Sequence, residues 1–302
     1  MRYVFIVIFV ILSVFWQRPI IALLLGICLG IFFSLDQNFF TKRIATKLLQ
    51  TGIILLGLSI DAVYAIQVSA KFMPVISVFV IITFAAVLLL GKVLIIDRKY
   101  TLLIAAGTSI CGGTAMAALA PIIKSKPQDL AIAISVIFIL NAFGILLFPI
   151  FAKMLDLSQL QFGAWAATAI HDTGAVIGAS MDYGSTSLET ATTLKLARTL
   201  WLIPLLLGMT YFSKNENNKS KIPVFIFFFI LAVAIGSYVR LPIDESVIKQ
   251  ASQLFLLLGL FCIGSQISIK SFQGFDKKSL LFPVIVWLII IPISYFIVSS
   301  IS

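Results

Sequence analysis

Apolar residues in this chain come in long unbroken runs, neither alternating nor confined to one helical face. Eleven runs stand out, at about 3–16, 19–35, 45–66, 73–96, 101–123, 128–152, 160–181, 187–212, 223–240, 249–269 and 279–300. Many approach 20 residues, the length at which an α-helix crosses the hydrocarbon of a bilayer. Lysines, arginines and carboxylates gather mainly in the short gaps. A soluble domain has no core large enough to take so many all-round apolar helices. The pattern predicts an all-α polytopic membrane protein of about eleven apolar segments. Pro19, Pro74, Pro127, Pro223 and Pro283 fall at or near the starts of runs, where a missing N–H costs little. The first run has no small-residue cleavage pattern ahead of Gln17-Arg18-Pro19 and reads as a retained span.

Two of the runs are interrupted by polar, glycine-rich stretches. One is Gly107-Thr108-Ser109-Ile110-Cys111-Gly112-Gly113-Thr114; the other is Thr168-Ala169-Ile170-His171-Asp172-Thr173-Gly174. They align at an offset of 60, which also pairs Ala115 with Ala175, Asp129 with Glu189 and Ala131 with Ala191. A second repeat, offset by about 207, matches the segment from Gly52 to Ile60 with that from Gly259 to Ile267. Segments two to four thus resemble nine to eleven. Unwinding a helix frees N–H and C=O groups that lipid cannot satisfy and a protein-lined cavity can. Paired interruptions of this kind point to a transporter's binding site. If each break is a re-entrant hairpin, its 60-residue unit crosses once and the copy is inverted; if each break crosses, the copy is parallel. The expected organisation is an N-terminal span (1–18), a scaffold half (19–96), two core repeats (97–156 and 157–216) and a second scaffold half (217–302).

Composition sharpens this in one respect. The chain has 302 residues, of which 61% are hydrophobic and 11% charged, against roughly 25% charged in average soluble domains. Its net charge of +10 is spread over short loops, so nucleic acid is not an expected partner. The distribution of lysine and arginine instead sets orientation. With the N-terminus cytoplasmic, twelve basic residues, among them Lys42, Arg43, Lys92, Lys99, Lys214 and Lys278, lie inside, and Arg18, Lys71, Arg240 and Lys249 lie outside. The C-terminus is then periplasmic or extracellular. Cys28, Cys111 and Cys262 show no metal-ligand spacing and read as buried free thiols. No metal, cofactor or catalytic residue is expected. Asp129 and Glu189 read as helix-dipole caps and Asp61 as an interfacial residue.

Ionisable groups within the apolar runs carry the candidate chemistry, because such groups are costly there. His171 is the only histidine, with Asp172 beside it. Lys195 and Arg198 lie three apart on one helix face, eight and eleven residues beyond Ser187. At about 1.5 Å per residue they sit near the middle of a core about 30 Å thick. Two like charges there call for something negative. Asp172 with Glu189 would make a structural network; an anionic substrate would meet a planar guanidinium and a point-charge ammonium. Candidate substrate-binding residues are Ser109, Cys111, Gly112, Gly113, Thr114, His171, Asp172, Thr173, Gly174, Lys195 and Arg198. His171, Asp172 and Asn141 are candidates for a coupling ion.

The segments Thr108 to Ala115, Ile170-His171-Asp172 and Leu194-Lys195-Leu196-Ala197-Arg198 resemble those of the YeiH family of bacterial inner-membrane proteins, to which sulfate export has been ascribed. The likeness extends over nearly the whole chain. It implies a secondary transporter of the bacterial inner membrane, related to the broad group of bile acid symporters and sodium/proton antiporters, with inverted repeats and discontinuous helices. The leading expectation is a transporter of a small anion such as sulfate or a sulfonate, working by alternating access and coupled to H+ or Na+. The bilayer is a partner, and a homodimer is left open. Two other classes stand against it. An intramembrane enzyme would use His171 with Ser109 or Cys111, but adjacent His171 and Asp172 diverge on a helix. A non-transporting sensor or structural module would have no attached soluble domain to signal through.

Overall fold

The computed structural model describes residues 2–33, 40–213, 224–239, 242–266 and 277–301. Among them run fourteen α-helices: α1 (Arg2–Trp16), α2 (Pro19–Phe33), α3 (Phe40–Gly57), α4 (Ala62–Val93), α5 (Arg98–Ala106), α6 (Gly113–Ile123), α7 (Pro127–Met154), α8 (Gln159–Ala169), α9 (Thr173–Tyr183), α10 (Ser185–Thr199), α11 (Leu202–Ser213), α12 (Val224–Tyr238), α13 (Glu245–Gly264) and α14 (Lys277–Ser299). A π-helical turn, Gly107–Cys111, links α5 to α6. Among the described residues, four helices are long and apolar enough to cross a membrane by length and composition: α4, α7, α13 and α14.

Local chemistry sets many boundaries. Asp97 caps α5, accepting from the N–H groups of Lys99 and Tyr100. Ser158 and Gln161 form a reciprocal capping box on α8. Pro127 opens α7, where its missing donor is harmless. The runs and the helices differ in three places. The run 45–66 is two helices, because the chain turns at Leu58–Ile60 and Asp61 caps α4 by accepting from Tyr64 N–H at 2.8 Å. Lys71 and Pro74 therefore lie inside α4, not in an external loop or at a helix start. The run 187–212 is also two helices, parted at Leu200–Trp201. Pro283 likewise lies inside α14. Pro223, Lys214, Lys219, Lys221, Arg240 and Lys270, used above for boundaries and orientation, are outside the described residues.

Two sets of contacts position the breaks. In the first, α3 and α13 meet through reciprocal glycines. A methyl on Gly52 would come within 2.8 Å of Leu256, and one on Gly259 within 2.7 Å of Leu49. Positions 52 and 259, and 49 and 256, are each 207 apart. Close approach of this kind replaces the hydrophobic drive that lipid does not supply. In the second, α10 packs against α8, α9, α4 and the π-turn and is buried along most of its length, with Ser185 and Thr186 exposed at its start. It is the least apolar of the helices, with Ser187, Thr190, Thr192, Lys195 and Arg198 all at 0% exposure. Helices α4 and α14 lie against this set: Trp201 donates to Ser77 Oγ at 3.1 Å, and Trp165 to Ser294 Oγ at 3.1 Å.

At each break the chain doubles back. The start of α5 lies beside the end of α6, where Lys99 Nζ donates to Lys124 O at 2.8 Å. The start of α8 lies beside the end of α9, where Tyr183 Oη donates to Leu157 O at 2.6 Å and its ring stacks on Phe162. The 28-residue α7 separates the two mouths, a length of about 42 Å at 1.5 Å per residue.

Candidate functional site

The first break begins where Thr108 and Ser109 turn their hydroxyls back onto Ile104 O and Ala105 O, at 2.8 and 2.6 Å. Such back-bonding loosens a helix. Here the winding widens, and Gly112 N–H reaches Gly107 O at 2.8 Å. Gly112 has φ 64° and ψ −132°, a conformation a side chain would strain. A methyl on it would also meet Asp172 Cα and N at 3.3 Å. The two tips therefore touch. Helix α6 starts at Gly113; Gly112 at its N-cap has no side chain to offer, and the Cys111 thiol accepts from Ala115 N–H.

The second break is extended. Ile170 (ψ 134°) and Asp172 (ψ 143°) leave the helical region, and Asp172 Oδ2 accepts from Gly174 N–H at 2.9 Å, capping α9. Asn141 on α7 reaches the same place: its Oδ1 accepts from Asp172 N–H at 3.4 Å, while its Nδ2 has no protein partner.

Lys195 and Arg198 lie between the breaks, ten and thirteen residues into α10, or about 15 and 20 Å along it. Both are fully buried. Lys195 Nζ donates to Ile170 O at 2.7 Å and to Ile110 O at 3.4 Å. The guanidinium of Arg198 donates from Nε to Ser109 O (2.8 Å), from Nη1 to Ala167 O (2.9 Å) and Thr168 O (2.7 Å), and from Nη2 to Thr108 O (2.8 Å). Its charge also lies 5.9 Å from the Phe79 ring centroid. Ile110 and Ile170, paired at offset 60, thus share one ammonium; Thr108 and Thr168, paired likewise, share one guanidinium. Neither cation has a carboxylate within ion-pairing distance among the described residues, and Glu189 faces Lys249 at 3.9 Å instead. The Asp172–Glu189 network is not formed.

The sequence candidates divide accordingly. Gly112, Gly113, Asn141, His171, Asp172, Thr173 and Gly174 gather where the tips meet. Ser109 and Cys111 are buried behind them, and Ser109 contributes its carbonyl to Arg198. Thr114 is exposed and Thr173 half-buried. His171 is fully buried with neither ring nitrogen hydrogen-bonded, so it forms no relay with Asp172. Sequence reading did not foresee the carbonyls of Thr108, Ala167, Thr168 and Ile170. Main-chain acceptors leave no residue-type signal beyond the glycine-rich breaks that free them.

The family described as Conserved hypothetical protein 698 matches residues 4–283. The chain belongs to this family. A UPF0324 membrane protein of Bacteroides thetaiotaomicron is 35% identical over 282 residues, covering 91% of this chain and 84% of its own. One from Photobacterium profundum is 38% identical over 289 residues, covering 93% and 88%. Another, from Vibrio parahaemolyticus, is 38% identical over 285 residues, covering 92% of each. No solved structure matches. These relatives are named as membrane proteins and not as enzymes, and among the described residues no group of three or more His, Cys, Asp or Glu side chains is placed to hold a metal ion. With its relatives' names and four membrane-length apolar helices, the chain is a multi-pass membrane protein.

Proposed function

We propose that this chain is a secondary active transporter of a small anion, such as sulfate or a sulfonate, in the bacterial inner membrane, as the resemblance to the YeiH family suggests. The observation that carries this reading is the meeting of two interrupted helices deep in the protein, tip to tip at Gly112 and Asp172. Broken helices in paired positions are how transporters place polar backbone at mid-membrane. The contacts at Lys99–Lys124 and Tyr183–Leu157, with α7 between them, support two re-entrant hairpins entering from opposite faces, an inverted pair. Lys92, Lys99, Lys124 and Lys126 cluster near the first mouth, which favours that side as cytoplasmic under the positive-inside rule. That orientation leaves the N-terminus inside and the C-terminus outside.

In this reading α5–α11 form the moving core, and α2, α3, α12 and α13, joined by reciprocal glycines, form the scaffold. The N-terminal ends of α6 and α9 face the tips, where backbone N–H groups suit an anion. Asp172 already fills part of the α9 end, so the start of α6, which carries the neutral Cys111 thiol on Ala115 N–H but no carboxylate, offers the anion more, with Gly113, Thr114 and the free Nδ2 of Asn141. Asp172 and His171 are the groups available to carry a coupling ion. The test is uptake of labelled sulfate by proteoliposomes under an imposed proton or sodium gradient, with sulfonates and small carboxylates as competitors. Saturable, gradient-driven uptake is expected. Folded protein that moves none of these anions would contradict the proposal.

A further inference from the structure

Six main-chain carbonyls converge between the breaks: those of Thr108, Ser109 and Ile110 from one side, and Ala167, Thr168 and Ile170 from the other. They lie at the C-terminal ends of two half-helices, where the helix dipole is negative. Freed carbonyls at such ends are hard oxygen donors of the kind that coordinate sodium in transporters with broken helices. Here every one of the six accepts from a side-chain cation of α10. The ammonium is a compact point charge held 2.7 Å from Ile170 O. No carboxylate neutralises it within ion-pairing distance among the described residues, so the carbonyls are what hold it. The cage is sealed, with Lys195, Arg198, Thr108, Ser109 and Thr168 all fully buried.

We infer that this carbonyl cage is a monovalent-cation site that the chain fills from within, the Lys195 ammonium standing where a free cation would bind and the Arg198 guanidinium anchoring its other half. Its consequence for coupling, that no sodium is taken up in the carbonyl cage and a coupling ion must bind elsewhere, rests on the transport reading; the binding claim does not. Removing the ammonium leaves Ile110 O and Ile170 O unpartnered in a buried space of about its own size. That space then accepts ammonium, sodium or methylammonium from solution.

The experiment is thermal melting of purified full-length protein in detergent, at constant ionic strength, in choline chloride against the chlorides of ammonium, sodium and methylammonium. Wild type is expected to gain nothing from ammonium or methylammonium, and any sodium shift it shows, from a coupling site at Asp172, is the baseline against which the variant is read. Lys195→Ala is expected to melt lower in choline and to be raised, saturably and by about 3 °C or more, by at least one small cation. The inference is overturned if Lys195→Ala is as stable as wild type in choline, if no small cation raises it, or if sodium stabilises wild type to the same extent. Should Lys195→Ala not accumulate, Lys195→Gln, which keeps an amide donor near Ile170 O, carries the same comparison. If neither accumulates but Lys195→Arg does, the need for a resident cation stands. If Lys195→Arg also fails, shape rather than charge is what the site requires and the inference falls. None of these readouts needs a transported substrate, so they stand apart from the uptake test.

Discussion

The two breaks are alike on one side and unlike on the other. Each presents three carbonyls from its C-terminal half to the same two cations, at positions that largely correspond at offset 60. Their N-terminal halves diverge. Helix α9 begins under a carboxylate, with Asp172 capping Gly174; α6 begins under no charged group, with Gly112 in a positive-φ conformation and the Cys111 thiol accepting from Ala115 N–H. The shared half is the electrostatic anchor. The unshared half is where the breaks differ in what they attract: an N-terminus without a carboxylate favours an anion, and one already holding a carboxylate favours a proton or cation.

The largest expected effect strikes the shared half. Arg198→Ala strands four buried carbonyls, and bonds to charged groups each contribute about 1.5–3 kcal/mol. The loss should exceed about 4 kcal/mol, outside the ordinary range for one substitution, and appear as loss of monodisperse protein on gel filtration. Arg198→Lys keeps the charge but not the fork, and should fall between wild type and alanine. Recovery of normal amounts of Arg198→Ala would show that the breaks do not depend on a common anchor. Next comes Gly112→Ala, which places a side chain in strained backbone against Asp172 and should cost about 1–3 kcal/mol. Gly113→Ala, whose methyl would rest 3.4 Å from Phe138, should stay within about 0.5 kcal/mol. Equal melting temperatures for the two variants would remove the special role of the first tip.

The second tip gives a smaller number. Asp172→Ala should cost about 1 kcal/mol through the lost cap, and Asp172→Asn only a few tenths. Asn keeps the cap and removes the charge, so a transport defect in Asp172→Asn with unchanged melting would mark the carboxylate as functional. Smallest of all is Arg18→Ala. Its 2.6 Å pair with Asp182 has an arginine side chain that is 63% exposed, so melting should drop by no more than about 1 kcal/mol equivalent.

The breaks were legible because glycine, serine and threonine cluster there, and the burial of Lys195 and Arg198 was legible from their place within an apolar run. Their partners were not. A pair of buried cations suggests an acid or an anion, whereas the acceptors here are backbone groups exposed only once both helices have broken. The turn at Leu58–Ile60 was hidden because its residues are as apolar as the helices it joins. The parting of α10 from α11 did have a signal: Pro204 lies in the first turn of α11, where proline is tolerated and from which a helix does not easily extend backward.

In the transport reading the carbonyl-bearing side of each break is sealed, and the side where α6 and α9 begin is open to water. Single cysteines placed at Thr108, Thr168, Thr114 and Thr173, in a background lacking Cys28, Cys111 and Cys262, measure this directly with a charged, membrane-impermeant thiol reagent on proteoliposomes. Thr108 and Thr168 are buried, Thr173 is half-buried and Thr114 exposed. Modification of the cysteines at 114 and 173, slowed by a transported anion, with none at 108 and 168, is the predicted result. Equal labelling of all four, or labelling of 108 and 168 alone, would contradict it.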